Sequence, residues 1–600
     1  MDPGPGQIME PPHPADAPPP LPRLAAWLRQ PGNLLFALLL AVQPLPIWAF
    51  RYFPSQDGPA HIENAVILRE YHRPDREAFR TFYVLNTRPE PNWFGHLALA
   101  GLMFFVPPLI AEKLLLTGYA LLLPLAARYA VRAVQPSAGF LAVLAFPFVW
   151  NSLLHRGFYN FCWSLPLFLF VVGWAAKNRA GFGPRQALVL ALLALLTYFC
   201  HLVSVVMAGV ALAVMGLWRV ALEARRLRKQ GGATWKALWP ALRAHALWPG
   251  LAFLPPALLT LLFLGRQGAA PLPRHSVADL ATGLGTLIVL PSFRPAEALA
   301  AVALFWLFVG LAGALLTVKL ARQRLDAGDG WLLAAVAFIG LYFAAPEGAS
   351  GGTFLNYRIM FYPFFTLLLW FAGQPFPAWL RWAVPAAGAA LTGLMLWSCA
   401  SAYASFQAEM EEFLSGEEWI AENSTLLPLC FQKRLTAGDG RELAAGPAPF
   451  LHPAGHIAAR RGVVELDNYE AGTDYFPTKF RPELDPFRHL SRDGDLFHTG
   501  LERVPPRVDF LAYGQRTGKP VDYVLIWGAR PEHWHEPDGQ DVLRQLREGY
   551  ERIFTSPGGR MELYRRKGFG DAPEDRRQDR AGRTAGVKPA ARTGLGGRRG

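Results

Sequence analysis

The blocking of apolar residues limits this chain more than any other feature. "NLLFALLLAVQPLPIWAF" (33–50), "RQALVLALLALLTYFCHLVSVVMAGVALAVMGLW" (185–218) and "AALTGLMLWSCASAY" (389–403) are long runs with very few charges. Runs of that length match the hydrocarbon thickness of a bilayer. The chain has 600 residues, 52% of them hydrophobic, and a mean hydropathy of +0.18. A soluble protein of this size is rarely so apolar. The pattern therefore predicts a polytopic membrane protein.

The net charge of +13 invites a nucleic-acid reading. Lys and Arg, however, sit in short loops between apolar runs, where they set orientation. Others lie in the tail "RRQDRAGRTAGVKPAARTGLGGRRG" (576–600), whose composition reads as disordered. No recognition motif accompanies the charge, so no nucleic-acid partner is expected. The four cysteines, Cys162, Cys200, Cys399 and Cys430, form neither a disulfide framework nor a metal-ligand spacing. Residues 1–32 are Pro-rich and predict an unstructured segment, too long and too proline-broken for a signal peptide. The first span then reads as a retained anchor.

Arg23 and Arg29 ahead of the first span place the N-terminus in the cytoplasm. The further basic clusters are Arg128/Arg132, Lys177/Arg179/Arg185, "RRLRK" (225–229) with Lys236 and Arg243, and Lys319/Arg322/Arg324. Reading them as cytoplasmic leaves paired spans at about 138–153 and 159–176, 186–200 and 202–218, and 246–265 and 298–318. Spans at about 331–345 and 357–372 follow, and a last one at 383–402. Counting 91–106 as a span breaks this parity, and Pro107-Pro108 interrupts the helix there. Residues 91–106 then read as an interfacial helix, followed by one span at about 109–131. The fold class is an all-α polytopic membrane domain (33–402) of about eleven transmembrane helices, with an outer loop at 51–95. An extracytoplasmic α/β domain (403–568) and a basic tail (569–600) complete the chain.

In the C-terminal part, "SFQAEMEEFLSGEEWIAENS" reads as an amphipathic helix leaving the membrane. "VDYVLIWG" (521–528) reads as a buried strand, and "GQDVLRQLREGYERIFTSPGGRMELYRRKG" as a helix and two strands joined by "SPGG". His533 and His535 in "HWH" lack a third ligand, a weak metal signal.

Polar residues cluster at the outer ends of the spans. The first loop carries Asp57, His61 and Glu63, and "NSLLHRGFYNF" (151–161) carries His155, Arg156, Tyr159 and Asn160. His201 divides "LTYFCHLVS", and "PEGASGGTFLNYRIMFYP" (346–363) offers Glu347, Asn356, Tyr357 and Arg358. Each has a plain alternative: Asp57 as a helix cap, His201 as a helix-end residue, Arg358 as a snorkelling cation. Convergence from four loops favours a shared cavity instead. There, a carboxylate serves as general base and Arg with His binds a phosphate.

This layout, with a basic N-terminus, one span and an acidic first loop "SQDGPAH" ahead of a helix, resembles the GT-C superfamily of polytopic glycosyltransferases. The protein mannosyltransferase and aminoarabinose transferase branch is the nearest in pattern. "PNW" (91–93) resembles that family's juxtamembrane helix, and "NYRIMFYPFFTLLLW" a late motif of Arg and Tyr before a proline-containing span. "LTYFCHLVS" sits where the family often has a Lys-Gly-Pro turn, with His201 for the lysine. Gly58 stands where the family commonly has a second acid, and Asn160 near the place of a further one. The resemblance implies a bacterial inner-membrane enzyme using a polyprenyl-phosphate-linked sugar, with a glycan, lipid or protein acceptor on the periplasmic side. It implies Asp57 as the base, supported by His61 and Glu63. It implies phosphate or substrate contacts from Arg358, Tyr357, Asn356, His201, His155, Arg156 and Asn160. A divalent metal stays open, and no other cofactor is expected. Two alternatives remain: a transporter or flippase, and a non-catalytic scaffold whose outer domain binds.

Overall fold

The computed structural model describes residues 31–232, 234–268, 272–322, 325–349, 352–436, 442, 446–492 and 507–570. The expected unstructured segment 1–32 and tail 569–600 fall almost wholly outside these residues.

Among the described residues seven helices are long and apolar enough to cross a bilayer. They are Gly32–Ala49, Pro108–Val134, Tyr159–Lys177, Leu202–Lys229, Trp235–Leu264, Pro295–Ala321 and Leu380–Trp419. The other four expected spans are shorter helices: Pro136–Phe148, Pro184–Cys200, Asp329–Ala344 and Phe361–Ala372. Of the eleven expected spans, seven are thus helices of spanning length and four are shorter helices. Pro136–Phe148 winds as a 3₁₀ helix of 13 residues, with Pro136 and Pro147 near its ends. At about 2.0 Å rise per residue it still reaches ~26 Å, more than the same residues would as an α-helix. Its residues Leu141–Phe148 are buried on every side, so it runs through the centre of the bundle.

The stretch expected to lie at the interface forms the helix Phe94–Leu102. Leu97, Phe104 and Phe105 are exposed along it and just beyond, as suits a helix at a membrane boundary. Pro107 then ends that stretch and Pro108 opens the long helix. The segments around residues 56–61, 156–161, 201–207 and 341–359 gather at one end of the bundle. Those around 134–138, 176–179, 326–331 and 372–381 gather at the other.

Helix Leu380–Phe413 runs unbroken for 34 residues from the bundle into the C-terminal region. That region holds a five-stranded sheet in the order β3 (Val464–Glu465), β2 (Thr425–Cys430), β5 (Tyr523–Trp527), β7 (Met561–Arg566), β6 (Tyr550–Thr555). β2 pairs in parallel with β3 and β5, whereas β7 is antiparallel to β5 and β6. The strand expected at 521–528 is β5, and the expected helix and strand pair are Pro537–Gly549, β6 and β7. β2 and β5 are buried throughout, as strands covered on both faces must be.

The sheet region is stitched to the segment that follows the first long helix. β1 (Tyr83–Leu85) pairs antiparallel with β4 (Thr478–Phe480), in the register Tyr83↔Phe480 and Leu85↔Thr478. Gly455, at the start of helix Gly455–Arg461, lies so close to Pro59 that a Cβ would come 2.5 Å from its carbonyl oxygen. One contiguous apolar core runs from the bundle into the sheet. This packing brings C-terminal residues to the same end of the bundle as Asp57.

Candidate functional site

Asp57 occupies the N-cap position of helix Gly58–Glu70, yet its side chain makes no capping bond. Ser55 does that work, its Oγ accepting from the Gly58 N–H at 3.0 Å. The carboxylate is therefore not consumed by the helix end. The loop is held by its backbone: Gln56 N–H donates to the His155 carbonyl (2.9 Å) and Asp57 N–H to the Arg156 carbonyl (3.2 Å). Gly157 lies beneath it at φ +87°, where a Cβ would approach Asp57 Cβ to 2.7 Å. Gly58 has no room for a side chain either. A Cβ there would meet Tyr159 Oη at 2.4 Å and Glu112 Oε1 at 2.7 Å. Tyr159 donates to Glu112 at 2.6 Å, so a carboxylate from a different helix fills the space beside Asp57.

Asp57, His61, Arg156, Asn160, His201 and Arg358 all line one cavity of about 890 Å³. Its polar lining also includes Gln56, Tyr159, Glu347, His452, Tyr469 and Tyr475. Its apolar lining includes Leu202, Val203, Val206, Met207, Phe263 and Leu341, from helices of the bundle. Asp57 accepts from Gln56 Nε2 at 3.0 Å and from the Tyr469 hydroxyl, with His452 Nε2 4.0 Å away. Burial pushes its carboxyl up to about 6, against the opposing charge of His61 and the Gln56 bond.

The two arginines are held by aromatic faces. Arg156 lies 4.3 Å from the Phe354 ring centre and Arg358 4.7 Å from that of Phe158. The Nε of each is buried without a hydrogen-bond partner, and neither has a carboxylate partner among the described residues. Buried, unpaired guanidinium groups are costly unless a ligand anion completes them. His201 Nδ1 accepts from the Val203 N–H at 3.2 Å, so the helix-end reading of this residue holds. The neutral ring then keeps its Nε2–H as a free donor.

Four expected site residues do not line the cavity. His155 is a fastener inside the bundle, bonded to Ser292 Oγ (2.7 Å) and the Tyr403 hydroxyl (2.6 Å). Asn356 donates to the Tyr342 carbonyl at 2.8 Å, and Tyr357 packs edge-on against Phe354. Glu63 faces Glu465 and the Tyr83 hydroxyl in a buried polar layer, where burial raises both acids above the usual carboxylate range. Asn160 lines the cavity but is engaged, accepting from Gly95 N–H (2.6 Å) and donating to the Asn92 carbonyl (2.8 Å).

The sequence reading missed the C-terminal contribution. Tyr469, Glu470, Thr473 and Tyr475 come from "LDNYEAGTDYFP" (466–477), a loop between β3 and β4. Its density of aromatic and acidic residues was the available signal. Glu470 meets His61 and His96, with the ligand atoms of all three within 4.8 Å of one another. Glu470 lies 2.5 Å from His61 Nδ1 and 2.8 Å from His96 Nε2. His61 Nε2 donates to the Gly157 carbonyl (2.6 Å) and His96 Nδ1 to the Asn92 carbonyl (3.2 Å). A carbonyl only accepts, so in the neutral rings both remaining lone pairs point at each other and at the carboxylate. Such a convergence needs a cation or protons, and the outward bonds match the second shell of metal-bound histidines. Without a metal, burial pushes His61 down but Glu470 overrides it, lifting the ring to about 9. Burial raises Glu470, and the two histidines outweigh it, holding the acid well below the carboxylate range. The "HWH" histidines belong to no such cluster among the described residues; His533 Nδ1 accepts from the Arg530 N–H.

No family model matches the chain, and no curated protein matches it. Among solved structures, one of ArnT from Cupriavidus metallidurans bound to undecaprenyl phosphate is similar over 90% of this chain and 98% of that one. The identity is 12% and the TM-score 0.44. This likeness is too distant to carry a functional reading, which rests on the cavity itself.

Proposed function

We propose that the chain is a membrane glycosyltransferase that takes a sugar from a polyprenyl-phosphate-linked donor. The single observation that carries this is the pairing, in one cavity, of two arginines, Arg156 buried and Arg358 half-buried with its Nε covered, that lack carboxylate partners among the described residues, with a carboxylate poised near neutral pH. The apolar lining from the bundle suits a lipid tail, and the polar lining suits a sugar phosphate. In the reaction, Asp57 takes the proton from an acceptor hydroxyl or amine as that atom bonds to the anomeric carbon. The bond from that carbon to the phosphate oxygen breaks, and its electron pair stays with the phosphate. Arg156 and Arg358 stabilise the growing charge on that oxygen, and His201 Nε2–H adds a donor. Tyr469 and Gln56 orient the Asp57 carboxylate.

His61, His96 and Glu470 have the donor chemistry to hold a divalent cation, of which zinc suits two imidazoles and a carboxylate. Bound there, it supplies positive charge near Asp57 and a rigid tie between the first loop and the C-terminal region. By the basic-loop rule the cavity faces away from the cytoplasm, which in a bacterial inner membrane is the periplasmic side.

The test is reconstitution of the full chain in vesicles with radiolabelled polyprenyl-phosphate sugars. Release of the sugar from lipid, lost in Asp57→Asn with insertion intact, supports the reading. Movement of intact donor across the vesicle membrane without bond cleavage makes the chain a flippase. Binding without either event makes it a scaffold.

A further inference from the structure

A second cavity, of about 610 Å³, lies at the opposite end of the bundle from Asp57. It forms where several helices end together. Its lining includes Arg179, Arg219 and Arg381, from three separate elements, and one acid, Asp326. Asp326 is already committed: its carboxylate pairs with Lys319 Nζ at 2.5 Å and accepts from the Gly328 N–H at 2.7 Å. None of the three arginines has a carboxylate partner among the described residues. Each is instead anchored by a main-chain carbonyl. Arg179 donates to Val134 (2.9 Å), Arg381 to Phe376 (3.3 Å), and Arg219 to the carbonyl of Arg179 itself.

A guanidinium has five N–H donors, so one carbonyl leaves most of them unspent while fixing the fork in place. Arg219 lies against the Arg179 main chain, so the two cationic residues meet at this one cavity. An anion entering the cavity would gain from both charges at once. The fork geometry selects a tetrahedral oxyanion over chloride, because two parallel N–H groups match two oxygens of one phosphate.

We propose that this cavity binds a phosphate group, presented by an anionic phospholipid headgroup or by a soluble phosphate compound. Trp379 and Trp382 flank Arg381 and are 67% and 59% exposed. Exposed tryptophans at the end of an apolar bundle sit at headgroup level. The mouth of the cavity is thus placed where a lipid phosphate lies. Basic pockets between spans take such headgroups. The site stands whether or not the Asp57 cavity transfers sugar.

The experiment uses the full chain in two arms. In nanodiscs of phosphatidylcholine doped with phosphatidylglycerol, lipid retained after delipidation is read by native mass spectrometry for the unsubstituted chain, R179Q/R219Q and the control R243Q. The double variant is expected to retain anionic lipid ~20–30-fold less tightly, from a loss of about fivefold per arginine, with the control unchanged. The second arm needs no variant. Phenylglyoxal labelling of Arg179 and Arg219 in detergent, read by peptide mass spectrometry against Arg243, is expected to slow on adding phosphatidylglycerol or inorganic phosphate. Protection by the lipid alone assigns the headgroup, and protection by inorganic phosphate at millimolar level assigns a soluble ligand. Labelling at the Arg243 rate with both probes, or equal lipid retention by R179Q/R219Q, overturns the proposal.

Discussion

Arg358 gives the sharpest perturbation. Its guanidinium rests on the Phe158 ring, with its Nε unpartnered and, among the described residues, no carboxylate opposite it. If its purpose is to meet a phosphate, Arg358→Gln removes a buried charge-assisted hydrogen bond worth about 1.5–3 kcal/mol. The dissociation constant of a polyprenyl phosphate should then rise ~10–150-fold. The ligand-free protein should respond in the opposite sense. A half-buried cation with a covered, unpartnered Nε costs desolvation energy, and its loss orphans no anion, so the thermal midpoint should hold or rise. Arg358→Lys should fall between, because an ammonium keeps the charge but lacks the fork. The assay is equilibrium binding of fluorescent polyprenyl phosphate in detergent, alongside thermal unfolding of the same samples. Unchanged affinity refutes the phosphate role. So does a lowered midpoint that accounts for the whole loss, which would make Arg358 a packing residue.

Other predictions follow from the same geometry. Sugar transfer should fall as pH drops through about 6, the value to which burial lifts Asp57, because protonation removes the base; about one-tenth of the plateau rate should remain at pH 5. A rate-pH profile flat from 5 to 8 would contradict that assignment. The His61–His96–Glu470 cluster should retain about one equivalent of zinc through dialysis, read by elemental mass spectrometry, and Glu470→Gln or His96→Ala should lose it; equal metal in all three proteins argues for protons alone. Gly157→Ala should cost about 1–3 kcal/mol of stability, because φ is +87° and the new Cβ strikes Asp57, whereas Gly101→Ala, in open space, should be neutral in the same melting series.

Much of the bundle was legible because span length and basic loops are properties of local sequence. Pro107-Pro108 separated the interfacial helix from the long one for the same reason. Asp57 stood out because an acid beside an apolar run is costly without a purpose. What stayed hidden depends on partners distant in the chain. His155 and Asn356 carry the right chemistry on the right loops, yet Ser292, Tyr403 and Tyr342 absorb it. Glu63 sits six residues after Asp57 in the chain, but the helix turns it onto Glu465. Conversely, His96 and Glu470 are 374 residues apart and no spacing rule joins them. The Gly58 departure gained its explanation only in three dimensions, from Glu112 and Tyr159 filling the space a second acid would need.

The most direct test of the central claim is a cryo-electron microscopy map of the full chain saturated with a polyprenyl phosphate. The account predicts the phosphate between Arg156 and Arg358, within reach of His201 Nε2, with the isoprenoid running past Val203, Val206 and Leu341. A lipid phosphate bound elsewhere, with the Asp57 cavity filled only by solvent, would contradict it.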